Sequence, residues 1–552
     1  PRQVTRLVQR VGRAGHKVGK VAKGYIITAD LDDVVEAAVI CKLAEKGILE
    51  DVKPPDKPLD VLAHQVVGLL IDRRRWKIEE MFEFFRRVYP FRNLKLEELL
   101  SVLAYLHERW PRLAWVSFED SVVVKPVKKS SFYEYYFENM SMIPDEKHYL
   151  VINEGNNEPV GILDEAFVAE YGEPGTKFIC KGSVWRVVKV TGDRVYVVPV
   201  EDPTGAIPSW AGEEIPVSYL VAREVGVLRR RIAEMLSLGK SEKEVAEKIS
   251  LEYPVNREVA FKVVDLVAEH LKQGLPVPDD KTVLVELTGE LVVVHACFGT
   301  LVNRTLGRLL IEKLTEKLGV TLALQEDPYR IFITFPVAVV NTMKRFAHLM
   351  SAPPPLETTI KQVLRELTSA INTNSLASEM EKILRKSMLF KRRLIYVARR
   401  FGALKKWVSL GDISMKELLN MFEGTPIYKE ALNEALWRDF DVKTTQLVLE
   451  KIKNGEIKVL YVSRETLSPI ARIGLEKQAL KRELIPPERM EKLLVETLKA
   501  RLQNEVLTII CLDCLKWYQV IRVKDVNTLR CGLCGSENLG VSKASENLIR
   551  KI

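Results

Sequence analysis

The sequence predicts a multidomain chain of mixed α/β and α+β architecture, on three observations. Its 552 residues exceed what one hydrophobic core organises, and about 150 residues per domain gives three or four domains. The apolar spacing changes period several times, from helical to alternating and back. Four of the seven cysteines fall in two tight pairs near the end, which marks a separate small element around a metal rather than a disulfide framework. With 28% charged residues, 47% hydrophobic residues and a net charge of +9, the composition is that of an ordinary globular chain and names no partner. No apolar run approaches about 18 residues. The first 30 residues carry Arg, Lys and Gly where a signal peptide has an apolar core. Neither a membrane span nor secretion is therefore expected, and a cytoplasmic location is.

Residues 1–56 open with a loop-and-helix pattern, and a short apolar strand is predicted at Gly24–Thr28. Asp30, Asp32 and Asp33 supply N-cap and first-turn carboxylates for a helix running toward Gly47. That is the pattern of the tail of an α/β unit. Three prolines within Val52–Pro58 can continue neither a helix nor a central strand, so a linker belongs there. In 57–127, helical patterns at about 60–72, 76–88 and 95–108 precede two apolar runs, Leu113–Phe118 and Val122–Val124, joined by Glu119–Ser121. Three helices and a hairpin in that order predict a winged helix. Residues 128–225 switch to period two, with strands at Tyr149–Ile152, Lys177–Cys180, Val184–Val190 and Arg194–Val200, as in a small β-barrel or sandwich. A mainly helical part, 226–505, contains an α+β insert at about 283–335 that begins with a hairpin around Gly289. Residues 506–552 return to short strands around the paired cysteines.

The run Gln9–His16 reads Q-R-V-G-R-A-G-H. Arg10 and Arg13, three positions apart with Gly12 allowing a tight turn, can place two guanidinium groups on one polyphosphate, where bidentate donors stabilise developing negative charge. Cys511, Cys514, Cys531 and Cys534 form C-x-x-C pairs 16 residues apart, which lets four thiolates converge on one tetrahedral ion with a hairpin between them. Zinc is the default metal and a redox pair the alternative. Cys41, Cys180 and Cys297 read as buried small hydrophobes.

Gln9–His16 resembles motif six of superfamily 2 helicases, the last motif of the second RecA-like domain. With the winged-helix pattern beyond it, the chain resembles the Lhr (large helicase-related) family of archaeal type. Pro58–Gln65, Tyr89–Arg92, Asn139–Asp145, Pro208–Glu213 and Val397–Gly402 match in the same way, as does the terminal four-cysteine element. The resemblance implies that 1–56 ends a RecA-like domain, 57–127 is the winged helix, 128–225 the β-barrel and 226–505 the helical part of an Lhr-specific domain, and 506–552 a zinc ribbon. It also implies an ATP-driven 3′–5′ translocase that uses ATP with Mg and unwinds DNA or RNA:DNA duplexes in repair or nucleic-acid processing. Gln9, Arg10, Gly12 and Arg13 would bind ATP, with Arg10 and Arg13 at the γ-phosphate and transition state.

A helicase places its phosphate loop and acidic box before motif six, and only eight residues precede Gln9. No G-x-x-x-x-G-K-[ST] occurs. Gly239–Ser241 reads as a helix break with a Ser N-cap, and Leu163–Ala166 as the first turn of a helix. The chain is therefore expected to be the C-terminal part of a longer motor, lacking the N-terminal RecA-like domains and inactive alone. The alternative is a motor-free nucleic-acid adaptor.

Ten basic residues between Glu381 and Trp407 face one acid, and Arg385, Arg392 and Arg399 would line one side of a helix with Arg393 and Arg400 beside them. Such a ridge could track the phosphates of single-stranded or partly duplex DNA or RNA, or be a solvated face paired with acids elsewhere. Arg73–Arg75 and Arg229–Arg231 are further candidates. Trp210, in a loop between Pro208 and Gly212, could stack a base, a role the resemblance supports, or plug the end of the barrel.

Overall fold

The computed structural model describes residues 2–14, 22–51, 53–127, 130–143, 147–172, 174–180, 183–200, 207–208, 215–320, 322–336, 339–340, 355–369, 373–406, 408–482, 506–522 and 530–542. Two helices, α1 (Val4–Val11) and α2 (Leu31–Glu45), open the chain. Asp30 caps α2 as its residue type predicts, accepting from the Asp33 amide at 2.8 Å. The strand predicted at Gly24–Thr28 is not formed: the segment has no regular secondary structure, with Tyr25 94% and Ile27 96% exposed. The local pattern is that of a strand, yet a strand needs a neighbour to take its N–H and C=O groups, and none lies beside it among the described residues.

The winged helix follows as α3 (Leu59–Asp72), β1 (Arg75–Lys77), α4 (Ile78–Arg86), α5 (Leu96–Glu108), β2 (Trp115–Ser117) and β3 (Val122–Val124), in sheet order β1-β3-β2. Its helices fall where their periodicity puts them, and β1 joins the hairpin as a third strand. Helix α6 (Ser130–Glu138) leads to the strands β4 (His148–Asn153) and β5 (Pro159–Asp164) and the helix α7 (Glu165–Tyr171). Then come β6 (Lys177–Cys180), β7 (Ser183–Thr191), β8 (Arg194–Pro199) and β9 (Ile207–Pro208). These strands make one six-stranded sheet, β5-β4-β8-β7-β6-β9, whose ends β5 and β9 do not pair. Among the described residues it is an open sheet, not the closed barrel expected.

Helices α8 (Tyr219–Ser237), α9 (Glu242–Glu252) and α10 (Arg257–Lys272) come next. The boundary expected at 225/226 falls inside α8. Gly226 is not a break but a point of close approach, where an added Cβ would sit 2.5 Å from the Asp280 amide nitrogen. The insert comprises β10 (Thr282–Thr288), β11 (Leu291–His295), α11 (Thr300–Leu318), β12 (Ala323–Asp327) and β13 (Arg330–Thr334). The helical stretch beyond it contains α12 (Pro355–Ser369), α13 (Thr373–Leu384), α14 (Met388–Arg400), α15 (Met415–Phe422), α16 (Pro426–Arg438) and α17 (Val442–Lys453). It is interrupted by β14 (Lys458–Arg464), which pairs parallel with β10 to complete a five-stranded sheet, β12-β13-β11-β10-β14. The insert is thus not self-contained. Helix α18 (Pro469–Arg482) follows, and β15 (Val506–Cys511), β16 (Tyr518–Arg522) and β17 (Leu539–Ser542) form the last sheet with β15 central.

Two large apolar cores organise the described residues, beside a small third cluster of Val293, Phe332 and Ala471. The larger runs from the winged helix through the six-stranded sheet to α11 and α12–α17. The second joins α1 and α2 to α8, α9 and α10, so the opening helices are mounted on the helical part and not on the winged helix that follows them in sequence. Where the larger core crosses between α3, α14 and α16, it encloses charge. Arg400 pairs with Asp60 at 2.5 Å and with Glu434, while Arg393 pairs with Asp439 at 2.8 Å and Glu434 at 3.3 Å. Glu430 accepts from the Leu59 amide at 2.7 Å.

Burial, and then the neighbouring Asp60 charge, raise the Glu430 carboxyl well above the usual carboxylate range. The folded protein therefore holds this proton more tightly than the unfolded chain does. Its stabilising contribution is complete below about pH 4.3 and is lost as pH rises through the higher folded value. Glu430→Gln keeps a carbonyl for Leu59 and removes the titration, so its melting temperature is expected to exceed that of the wild type at pH 8 and to converge with it near pH 4. A Gln variant less stable by the same margin at both pH values would contradict this.

Candidate functional site

Helix α1 holds the candidate arginines in place from its opposite end. The Glu50 carboxylate accepts from the amides of Val4 at 2.6 Å and Thr5 at 3.0 Å, satisfying donors that an N-terminus leaves orphaned. Arg2 bonds Glu36 at 3.1 Å, and Gln3 Nε2 donates to the Pro216 carbonyl at 3.0 Å. At the C-terminus the Gly12 amide donates to Val8 O at 2.8 Å, and an added Cβ there would lie 2.9 Å from that same oxygen, so glycine suits this turn. Gln9, Arg10, Gly12 and Arg13 are all exposed, and neither arginine has an ion-pair partner among the described residues. Two free guanidinium groups thus extend from a helix end whose base is tied down. His16 lies outside the described residues.

A buried ion network fixes the mounting beneath α1. Asp32, at the start of α2, pairs with Arg229 of α8 at 2.8 Å and with Arg330 of β13. Arg330 also binds Asp327 at 2.8 Å and donates to the Ile470 carbonyl at 2.7 Å. Tyr329 donates to Glu36 at 2.9 Å. Sequence reading took Asp32 for a first-turn carboxylate and Arg229–Arg231 for candidate strand contacts. Asp32 does sit in the first turn of α2 and is also the centre of this network, whereas the reading of the arginines is corrected: Arg229 pairs with Asp32, Arg230 with Asp280 and Arg231 with Glu252. No local pattern signals this network, whose members lie up to 298 residues apart.

The four cysteines converge. Cys511 and Cys534 Sγ are 3.6 Å apart, Cys514 and Cys531 Sγ 3.7 Å, and all four lie within 4.8 Å of one another. A tetrahedral ion with Zn–S bonds of about 2.3 Å requires sulfur separations of about 3.8 Å, so the cage fits zinc. Against burial, which raises it, the amides of Cys534 and Leu533 pull the Cys531 thiol down to about 6. Gly532 lies against Trp517, where a Cβ would meet the indole nitrogen at 2.8 Å. This donor set would hold one zinc ion that ties β15 to the two knuckles.

The expected phosphate-tracking ridge does not form. Arg393 and Arg400 are buried in the ion pairs described above, and Arg399 is buried against the Val408 carbonyl with Glu165 at 3.6 Å. Arg385 pairs with Glu423 at 2.6 Å, and Arg392 lies over the Tyr396 ring at 5.1 Å. The acids that neutralise this helix come from α3, α7 and α16, so a count of local charge missed them. Trp210 lies outside the described residues. Ser241 caps α9 and Glu165 sits in the first turn of α7, as expected for the two look-alike motifs. Glu165 is more deeply placed than a dipole role needs, accepting from Tyr396 Oη at 2.5 Å.

The winged helix is unusual in its third helix. Residues 96–108 contain Glu97, Glu98 and Glu108 and no Lys or Arg, and Tyr105 packs edge-on against Phe401 at 5.3 Å. In this domain α5 is an attachment surface, and arginines without an ion-pair partner among the described residues lie elsewhere, at Arg74, Arg75, Arg87 and Arg112.

Residues 277–471 match the "DEAD/H associated" family, and residues 42–207 match the winged helix domain of large helicase-related proteins. Fold and matched segments together define a helicase-related protein. ATP-dependent helicase Lhr-Core protein 2 of Thermococcus barophilus is 28% identical over 85% of this chain and 54% of its own length. Lhr-Core of Saccharolobus solfataricus is 29% identical over 83% of this chain and 52% of its own. The structure of Mycobacterium smegmatis helicase Lhr bound to ssDNA and AMP-PNP shares the fold with a TM-score of 0.59, at 20% identity, over 86% of this chain and 55% of that one. The chain is similar to Lhr-family proteins over most of its length, and it spans about half the length of these relatives. No helix among the described residues is long and apolar enough to cross a membrane. The cysteine cage lies outside both matched segments.

Proposed function

We propose that this chain is the C-terminal part of an ATP-dependent 3′–5′ translocase that moves along single-stranded DNA or RNA and unwinds duplexes. Arg10 and Arg13 reach the γ-phosphate of an ATP and Mg complex held by preceding RecA-like domains, with Gln9 and Gly12 shaping the same edge. The observation that carries this reading is the pair of free guanidinium groups at the end of a helix fixed at its base. Burying two such groups against a polyphosphate satisfies them, and their charge is placed where negative charge develops. The exposed Tyr25 and Ile27 favour the motor over the adaptor reading, because large apolar side chains left in water are what an adjoining domain would cover.

In this account, closure around ATP moves α1 and α2, and the Asp32–Arg330 network passes that movement to the helical part, whose fold contains β10–β14. The ribbon zinc serves structure and takes no part in ATP hydrolysis. Strand contacts by Trp210, Arg385 and Arg392 belong to this proposal.

ATP turnover and unwinding assays test it. A polypeptide of the relatives' length is expected to hydrolyse ATP with stimulation by single strands and to unwind a duplex with a 3′ tail but not a 5′ tail. The 552-residue chain alone is expected to hydrolyse none. Strand binding by the long polypeptide without strand-stimulated turnover would favour the adaptor.

A further inference from the structure

The outer face of the winged-helix sheet carries an arrangement that the motor reading does not use. Backbone register places Arg75 opposite Val124 and Val124 opposite Trp115, so these three side chains stand in one row across β1, β3 and β2. The next row on that face is Lys77, Val122 and Ser117. Trp76, Val123 and Val116 point the other way, into the core. Trp115 is 44% exposed although it has a core available one residue away, and Arg75 and Lys77 are exposed beside it.

The indole is braced. His107 packs edge-on to it at 6.3 Å, and the His107 Nδ1 is fixed by accepting from the Val116 amide at 2.9 Å. Arg75, which the register sets on this face, has no ion-pair partner among the described residues, and neither do Arg74, next to it in sequence, or Arg112, three residues before Trp115, whereas Arg73 is occupied by Glu80 at 2.6 Å. Trp110, on the loop leading into β2, is 81% exposed. Neighbouring strands lie about 4.8 Å apart, so Arg75 and Trp115 flank the valine floor at roughly 10 Å. A base stacked on the indole leaves its phosphates within reach of the arginine.

The geometry points to a single-strand platform on this face: Trp115 stacks a base of the nucleic acid, and Arg75, with Arg74 and Arg112, holds the flanking phosphates. The inference rests on the reading that this protein handles nucleic acid and adds to it a contact outside the ATP-driven cleft. It assigns strand contact to the sheet face of the winged helix, because the acidic α5 repels phosphate and is committed to packing. Charge complementarity selects the occupant. Unpaired arginines around a fixed aromatic suit a polyanion with π-faces, whereas a protein partner would have to bring its own acids to each arginine.

The test is fluorescence anisotropy of a labelled 20-nucleotide oligothymidine with the whole 552-residue chain at 50 and 200 mM salt. Trp115→Ala is expected to weaken binding about five- to a hundredfold, as the loss of one stacked base does. Trp115→Phe, which keeps a stacking ring, is expected to recover most of that loss, an outcome that simple damage to β2 would not give. Arg75→Gln is expected to reduce the slope of log affinity against log salt by about one.

If the wild-type chain binds and all three variants bind equally well, the platform is wrong while the motor reading stands. If the wild-type chain binds no strand at either salt concentration, the platform is wrong and strand handling by this part of the protein falls with it. If Trp115→Ala instead abolishes binding of a protein and leaves strand affinity unchanged, the face is a protein dock and the inference is overturned.

Discussion

Arg13→Ala, made in a polypeptide of the relatives' length, is expected on the proposed function to lower kcat for ATP hydrolysis by about a thousandfold while strand affinity changes little. That is the lower end of what an arginine reaching a transferring phosphoryl group contributes. Arg13 is exposed and outside both apolar cores, so its loss removes no packing, and the melting temperature should be unchanged. Arg13→Lys should recover only a small part of the rate. A single ammonium cannot reproduce the planar fork of a guanidinium on two phosphate oxygens. Steady-state ATPase measurements settle the matter: a variant that retains wild-type turnover removes Arg13 from the transition state.

The second large effect concerns the cysteine cage. The purified chain should carry one zinc ion, and Cys531→Ser should carry none. Metal binding supplies about 10–16 kcal/mol to small structural zinc sites, far more than three short strands with a small core can supply alone. In the variant, or after chelation, residues 506–542 should become protease-sensitive while the main thermal transition stays in place. Because four thiolates must be deprotonated to bind, zinc should also leave as pH falls, and the ribbon should refold when zinc is restored near neutrality. Elemental analysis with limited proteolysis provides the check. A ribbon that remains protected without metal would show that its hydrogen bonds suffice.

The parts of this fold that were legible in sequence are those whose signals are local. Helices α3, α4 and α5 follow a 3.6-residue apolar spacing, the β2–β3 hairpin is marked by its turn, and the cysteines announce their convergence by spacing alone. Arg10, in α1, and Arg13, just beyond its C-terminus, stand out for the same reason, since eight consecutive residues contain the whole motif; what the structure adds is that both are exposed. What stayed hidden depends on partners remote in sequence. Strand β14 completes a sheet begun about 170 residues earlier, and nothing near Lys458 says so. Arg400 looked like a phosphate contact because its neighbours are basic, whereas its partners Asp60 and Glu434 come from other helices. At Gly24–Thr28 the apolar run predicts a strand and none forms, since a strand is defined by its neighbour and not by its own residues alone.

The network around Asp32 explains why the opening helices keep a fixed orientation although the winged helix follows them directly in sequence. Arg330 is enclosed by Asp32, Asp327 and the Ile470 carbonyl, and an added Cβ at Gly474 would come within 2.2 Å of its guanidinium. Such a site tolerates little, because removing one partner leaves a buried charge uncompensated at a cost of about 3–5 kcal/mol. It joins the segment that carries Arg10 and Arg13 to the strand β13 and the helix α18, which is the arrangement needed if ATP-driven closure is to move more than the motor itself.

A structure of a polypeptide of the relatives' length with a non-hydrolysable ATP analogue tests the central claim most directly. The account places guanidinium nitrogens of Arg10 and Arg13 about 3 Å from γ-phosphate oxygens, with α1 still capped by Glu50. Nucleotide bound in a closed cleft with both arginines turned to solvent or to protein acids would contradict it.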